Sequence, residues 1–322
     1  RVTRMSDTPA SLRRKIDRAA DLQSVVRTMK ALAASSIGQY ERSVRALADY
    51  YRTVELGLAT CLRDTEAMPR APLRHRQASA VVVFGSDQGL VGQFNEIVVE
   101  YALRTVAALP GSPSVWAVGE RVHARLQEAG LAVTGRFRVP GSVETIAPLI
   151  GRILVETEKP LPEFGVVDLH LVYNRRTLGS AYAPVGQRLL PLDEDWRRPI
   201  IALAWPTANL PEVVGSRTTT LRALVREYVF VSLFRACAES LASENASRLS
   251  AMERADKNID ELLQALHTTF HRLRQSNIDE ELFDVVAGYE ALSSGLSGAA
   301  TPVQPRAEPT TGRHVPGNTT AL

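Results

Sequence analysis

Hydrophobic positions are most regular near the end of the chain. Neither glycine nor proline occurs between Gly215 and Gly288, so nothing interrupts a helix there. Residues 217–293 are predicted as one helix, roughly 115 Å long at 1.5 Å rise per residue. Alternating steps of three and four fall on Leu221, Leu224, Tyr228, Val231, Arg235, Ala238, Ala242, Asn245, Leu249, Met252, Asp256, Ile259, Leu263, Leu266, Phe270, Leu273 and Asn277, most of them apolar or small. That period, near 3.5, marks a coiled-coil seam. After Leu273 the stripe resumes one residue late at Ile278, Leu282, Val285 and Tyr289, a slip that changes the supercoil locally. A second helix is predicted over 11–68, capped by Ser11 and closed off by Pro69 and Pro72. Its stripe runs Leu12, Ile16, Ala19, Leu22, Val26, Met29 and Ala33, then on through Tyr40, Tyr51 and Leu58. Both helices carry a small-residue stretch, Ala31 to Ser36 and Ala236 to Ser247. If these face each other in an antiparallel pair, partner positions sum to about 280 and the end of the second helix extends past the first.

Residues 78–200 have a different texture. Strand-like runs at Ala80–Phe84, Ser114–Val118 and Gly165–Tyr173 alternate with amphipathic helical runs at Phe94–Leu109, Glu120–Ala129 and Val143–Thr157. That alternation predicts an α/β domain with a largely parallel, Rossmann-like sheet. A linker is expected over 201–216, and disordered ends over 1–10 and 294–322, the latter rich in Gly, Pro, Ser and Thr. The fold class is therefore α+β overall: a long antiparallel coiled coil of the N- and C-terminal helices with an α/β domain inserted between them.

Composition narrows the function classes. Lys and Arg number 38 against 35 Asp and Glu, a balance that gives no nucleic-acid footprint. Cys61 and Cys237 form no C-x-x-C, so a disulfide framework and a zinc site are not expected. No apolar run reaches the ~18 residues of a membrane span, so the chain is expected to be soluble, with no direct membrane insertion. The chain opens on Arg1, and Met5 is the expected start.

The one stretch with the look of a ligand site is VVVFGSDQGLVGQFN, residues 81–95. A strand, a glycine turn and a helix start commonly cradle phosphate, because free backbone N–H groups there point at an anion. The spacing of Gly85, Gly89 and Gly92 matches neither common phosphate motif, and no lysine follows. Residue types alone leave a phosphate cradle and a structural turn both open. Asp87 in that turn is expected to bond its own backbone, and His170 in the apolar run VVDLHLVYN to be a satisfied core or surface histidine, not a base or ligand. No catalytic constellation, metal set or cofactor site is found. Asp279, Glu280, Glu281 and Asp284 suit the wet face of a helix, yet Ile278, Leu282 and Phe283 in the same segment need something to bury them.

Several of these segments together resemble the gamma subunit of F-type ATP synthases, the central stalk of a rotary motor. RTMKALAASS (27–36) is similar to the family's first-helix signature, and GSDQGLVGQFN resembles its SDRGLCGxFN, with Gln88 and Val91 in place of Arg and Cys. VYNRRTLGSAYAPVGQRLLPLD (172–193) looks like the strand pair ending the family's middle domain. SLASENASRLSAMERADKNIDELL (240–263) and RQSNIDEELFDVVAGYEAL (274–292) are similar to its C-terminal helix. The resemblance implies a non-catalytic rotor that turns inside a ring of three alpha and three beta subunits. Its foot would stand on the membrane c-ring, with an epsilon subunit at its side, on the cytoplasmic face of a bacterial inner membrane. By motif position, Met29, Lys30, Arg248, Gln275, Asp279, Glu281 and Asp284 would contact the ring. Gly85, Gly89 and Gly92 then become a structural turn. Asp279 stands where the family has Thr and Tyr289 where it has a small residue; with the long tail and a divergent middle domain, these departures imply an atypical bacterial member from an alternative ATPase operon. The chain also lacks the cysteine pair that makes chloroplast homologues redox-regulated.

Two other readings compete with a rotor. One is a stand-alone α/β nucleotide-binding enzyme with a helical dimerisation arm, distinguished by phosphate-compound binding at Gly85 to Gly92. The other is a free coiled-coil adaptor, which would be stable and self-associating in isolation.

Overall fold

Helix α1 (Pro9–Arg63) starts with Thr8, not with the expected Ser11. The Ser11 backbone N–H donates to Thr8 Oγ1 at 3.2 Å and the Thr8 N–H to Ser11 Oγ at 3.0 Å, a reciprocal cap with Pro9 in the first helical position, where a missing N–H costs nothing. The computed structural model describes residues 8–63, 79–158, 168–177, 180–209 and 211–297. Pro69, Pro72 and the start of the third expected strand lie outside them, as do most residues of the two expected disordered ends. Helix α6 (Arg217–Ser297) runs unbroken for 81 residues, four beyond the expected end. The chain divides into two units, Arg18–Leu262, and Arg1–Asp17 with Leu263–Leu322.

In the larger unit α1 and α6 run antiparallel in the expected register. Gln23 meets Asp256, Tyr51 meets Tyr228 and Gly57 meets Leu224, pairs whose numbers sum to 279, 279 and 281. Ala19, Val26, Ala33, Tyr40 and Val54 form one buried heptad row of α1, and Met252 and Ile259 are buried on α6, with Leu249 half-buried. Leu22, expected in the seam, is instead 54% exposed. The step from Ala19 to Val26 passes through Gln23, which is buried because its amide donates to Asp256 at 3.3 Å and to Asp260. A polar side chain holds a seam position once it is bonded there. In the smaller unit Leu12 is buried, whereas Leu263, Leu266 and Phe270 are half-buried.

Between the helices lie strands β1 (Ser79–Phe84), β2 (Ser114–Val118), β3 (Gly135–Phe137), β4 (Asp168–Thr177) and β5 (Ser180–Leu190). They form one sheet in the order β3-β2-β1-β4-β5, parallel except for β5, which pairs antiparallel with β4. Side chains alternate between its two faces. Val81, Val83, Val115, Ala117 and Val172 pack with α2 (Phe94–Ala108) and α3 (Glu120–Glu128). Val82, Phe84, Val118, Leu171 and Tyr173 pack with α4 (Ile146–Glu158), α5 (Glu194–Ile201) and the two long helices. The expected helix from Val143 begins as a 3₁₀ turn at Val143–Thr145.

The small-residue stretch of α6 has a cause beyond pairing with α1. From Ala236 to Glu244 nine consecutive residues are buried. A helix buried on every side has neighbours all round, and here α6 has α1 and the sheet domain. Tyr173 of β4 donates its hydroxyl to Glu239 at 3.0 Å, and Arg235 Nε donates to the same carboxylate at 2.8 Å. Burial and the Glu239 charge push the Tyr173 phenol well up, keeping it a donor.

Candidate functional site

The glycine turn follows β1 at the point where the strand order reverses between β1 and β4. In doubly wound sheets that crevice is where ligands sit. Here the protein fills it. Gly85 donates its N–H to Val118 O at 2.9 Å, and a Cβ on it would lie 2.3 Å from Val122 Cβ, so only glycine fits. Ser86 and Asn95 clasp each other, Ser86 N–H to Asn95 Oδ1 at 3.0 Å and Asn95 Nδ2 to Ser86 Oγ at 2.8 Å. Asp87 does not bond its own backbone as expected. Its carboxylate accepts from the Glu120 N–H at 2.9 Å, opening α3, and from the Val139 N–H at 3.1 Å. An internal carboxylate thus takes the anion-favouring end of α3.

The rest of the turn is closed by α6. Its Ser247 hydroxyl donates to Val91 O, while Asn174 of β4 donates to Phe94 O at 2.8 Å. The left-handed positions are Leu90 (φ 62°) and Gly92 (φ 58°), and a Cβ on Gly92 would stand 3.6 Å from Ser247 Oγ. At Gly89 an added Cβ would make only ordinary contact, 3.5 Å from the Arg121 guanidinium. The turn is a joint between the sheet domain and the coil.

Next to Ser247 in the chain, Arg248 lies mostly buried, donating to Glu244 at 2.7 Å and to Asn245 Oδ1 at 3.4 Å. Burial pushes the Glu244 carboxyl up, against the pull of Arg248. Arg248 is therefore seated in the joint, apart from the other residues expected to meet a ring. On α1, Met29 is half-buried and flanked outward by exposed Leu22, Val25 and Leu32. Lys30 turns toward α6, its Nζ 3.3 Å from Asp256 Oδ2, and Arg27 Nε donates to Asp256 Oδ1 at 3.2 Å. Gln275, Asp279, Glu281 and Asp284 are all exposed on the far part of α6, interleaved with exposed Ile278, Leu282, Phe283, Val285 and Tyr289.

Sequence reasoning missed the cluster of Gln23, Arg27 and Lys30 with Asp256 and Asp260. A signal existed. Asp256 falls on the seam by spacing, and the register places it opposite the neighbourhood of Gln23.

These features define a class: a two-helix shaft carrying an α/β domain whose ligand crevice is sealed from within. Comparison with known proteins gives the family. A family model described as ATP synthase matches residues 8–292. The ATP synthase gamma chain of Clavibacter sepedonicus is 30% identical over 293 residues, which cover 87% of this chain and 96% of that one. The gamma chain of Parafrankia sp. (strain EAN1pec) is 29% identical over 293 residues, 88% of this chain and 97% of that one. In fold the chain is similar to one in the cryo-EM structure of the Euglena gracilis mitochondrial ATP synthase OSCP/F1/c-ring, with a TM-score of 0.62 and 17% identity over 93% of this chain and 99% of that one. The chain belongs to the ATP synthase gamma chain family.

Proposed function

We propose that the chain is the rotating central-stalk subunit of a bacterial F-type ATP synthase, itself non-catalytic, which couples ion flow through the c-ring to ATP synthesis or hydrolysis at a ring of three alpha and three beta subunits. The observation that carries this reading is the far part of α6. Ile278, Leu282, Phe283, Val285 and Tyr289 are 53 to 75% exposed, an apolar surface that calls for an enclosing partner. Gln275, Asp279, Glu281 and Asp284 supply polar contacts on the same stretch. At a wet interface such contacts are worth roughly 0 to 1 kcal/mol each, which suits a shaft that must not be held in one orientation.

Met29 is proposed to face the beta subunits, with Lys30 beside it held toward α6 by Asp256, and Arg248 to act from within the joint. The epsilon subunit and the c-ring are proposed to engage the sheet domain's end, on the cytoplasmic face of the inner membrane. Among the described residues no helix is long and apolar enough to cross a membrane. The reading as a nucleotide-binding enzyme finds its crevice already occupied by Asp87, Asn174 and Ser247.

The test is co-expression of the tagged chain with the alpha and beta subunits of its own organism, followed by native mass spectrometry. A complex with one copy of this chain per three alpha and three beta subunits is expected. Failure to associate while both partners stay soluble would overturn the proposal.

A further inference from the structure

A second concave feature lies away from the glycine turn, where the β4–β5 ribbon meets both long helices. It is a cavity of about 280 Å³ lined by Tyr51 of α1, Ser232 and Arg235 of α6, Tyr173 and Arg175 of β4, and by Val185, Gly186 and Gln187 of β5. We propose that this cavity is a binding site for a small oxyanion of the size of inorganic phosphate.

The lining has the chemistry such an ion needs. Two guanidiniums converge on it. Arg235 gives its Nε to Glu239, which also accepts from Tyr173, so that carboxylate is already engaged, and the Glu55 charge of α1 also acts on Arg235. Its guanidinium is held 5.9 Å from the Tyr51 ring centroid, a cation–π contact that fixes the fork in place. Among the described residues Arg175 pairs with no carboxylate, leaving its planar donor set for a ligand.

The independent observation is Ser232. The residue is only 3% exposed, and its Oγ has no hydrogen-bond partner although the residue lines the cavity. The Tyr51 phenol interacts with it from outside full hydrogen-bond geometry. A buried hydroxyl left unmade costs free energy that a bound oxygen acceptor would restore. The Tyr173 proton is given to Glu239, while burial pushes the Tyr51 phenol up, so that it stays neutral beside an anion. At about 280 Å³ the cavity lies just below the volumes that hold drug-sized molecules and has room for a tetrahedral oxyanion with its water. An ion bound here would tie α1, α6 and the ribbon together at one point, adding to the stiffness of the joint.

The test is equilibrium dialysis of radiolabelled inorganic phosphate against the full chain in about 150 mM chloride, which screens diffuse attraction to a basic protein. One saturable site is expected. Arg175→Gln and Ser232→Ala should each weaken it about tenfold, as loss of a charge-assisted or buried hydrogen bond does, while Arg222→Gln, an exposed arginine outside the cavity, should leave it unchanged. Both test variants are checked for an unchanged thermal midpoint. The proposal is overturned by the absence of saturable binding, or by equal binding in Arg175→Gln. Displacement by ADP more tightly than by phosphate itself would overturn the assignment to a free oxyanion.

Discussion

At Gly85 the neighbour is a β-branched side chain fixed by its helix: Val122 Cβ and Cγ1 would lie 2.3 and 2.6 Å from an added methyl group. Neither atom is the far end of a flexible chain, so α3 itself would have to shift, disturbing the bond from its Glu120 N–H to Asp87. Gly85→Ala is expected to cost about 1 to 3 kcal/mol, the usual range for overpacking. Gly89→Ala, whose methyl group would only touch the Arg121 guanidinium, should stay within about 0.5 kcal/mol of the parent. Urea unfolding of the two variants reads the difference, and equal midpoints would mean that α3 yields freely. A second residue, Asp256, reports on pH. Burial opposes its charge, but the hydrogen bonds and charges of Lys30 and Arg27 outweigh burial and hold its pKa below the ordinary carboxylate value. A depressed pKa gives stability that is present above the unfolded value, about 3.9, and lost as pH falls through the folded one. The destabilisation caused by Asp256→Asn should therefore be full at pH 7 and shrink as pH drops below about 4. A penalty that stays constant down to pH 3 would show that Lys30 and Arg27 do not depend on the charge.

Among the elements, the seam of the coil separates what periodicity fixes from what it leaves undetermined. A 3.5-residue repeat was enough to find α6 and its antiparallel register with α1, because glycine and proline are absent over most of its length and the apolar steps are long. It could not choose between Leu22 and Gln23, since both satisfy a step of three or four and apolarity favours the wrong one. The deciding facts, the Asp256 and Asp260 carboxylates, belong to another helix. The same limit hid β3, three residues with no apolar run, and α5, which has Pro199 inside it and is set by Asp193 accepting from the Trp196 N–H at 3.0 Å. The glycine turn was legible as a turn; that Asp87 and Ser247 seal it was not, because their partners lie 33 and 156 residues away. The corrected seam can be tested directly. Val26→Asp places an unpaired charge at a buried position and should cost about 3 to 5 kcal/mol, as breaking a buried charge pair does. Leu22→Asp, on the exposed face, should shift stability by no more than about 0.5 kcal/mol. Thermal unfolding of the isolated chain compares them, and the reverse order would return Leu22 to the seam.

For the molecule as a whole, a rotor has to satisfy two demands that pull apart. Its internal joints must be firm enough to transmit torque, and its outer contacts weak enough to be remade at each step. The first is met by the nine-residue buried stretch of α6 and the bonds from Asp87, Tyr173 and Ser247. The second is met by faces such as the one around Met29, where Leu22, Val25 and Leu32 present apolar surface without a charge that could grip. On the proposed function this face turns past each beta subunit in succession, where the family resemblance implies an acidic lever. Met29→Lys would put a cation there without touching the coil, since Met29 sits outside the row of Gln23 and Val26. The complex should therefore assemble and hydrolyse ATP. One new ion pair worth about 1 kcal/mol holds the shaft about fivefold more strongly at each of these orientations. ATP-driven ion pumping in membrane vesicles should fall by a similar factor, while Met29→Leu, which adds no charge, pumps as the parent does. Undiminished pumping by Met29→Lys would remove Met29 from the contact surface and leave the far part of α6 as the main face through which the shaft meets its ring.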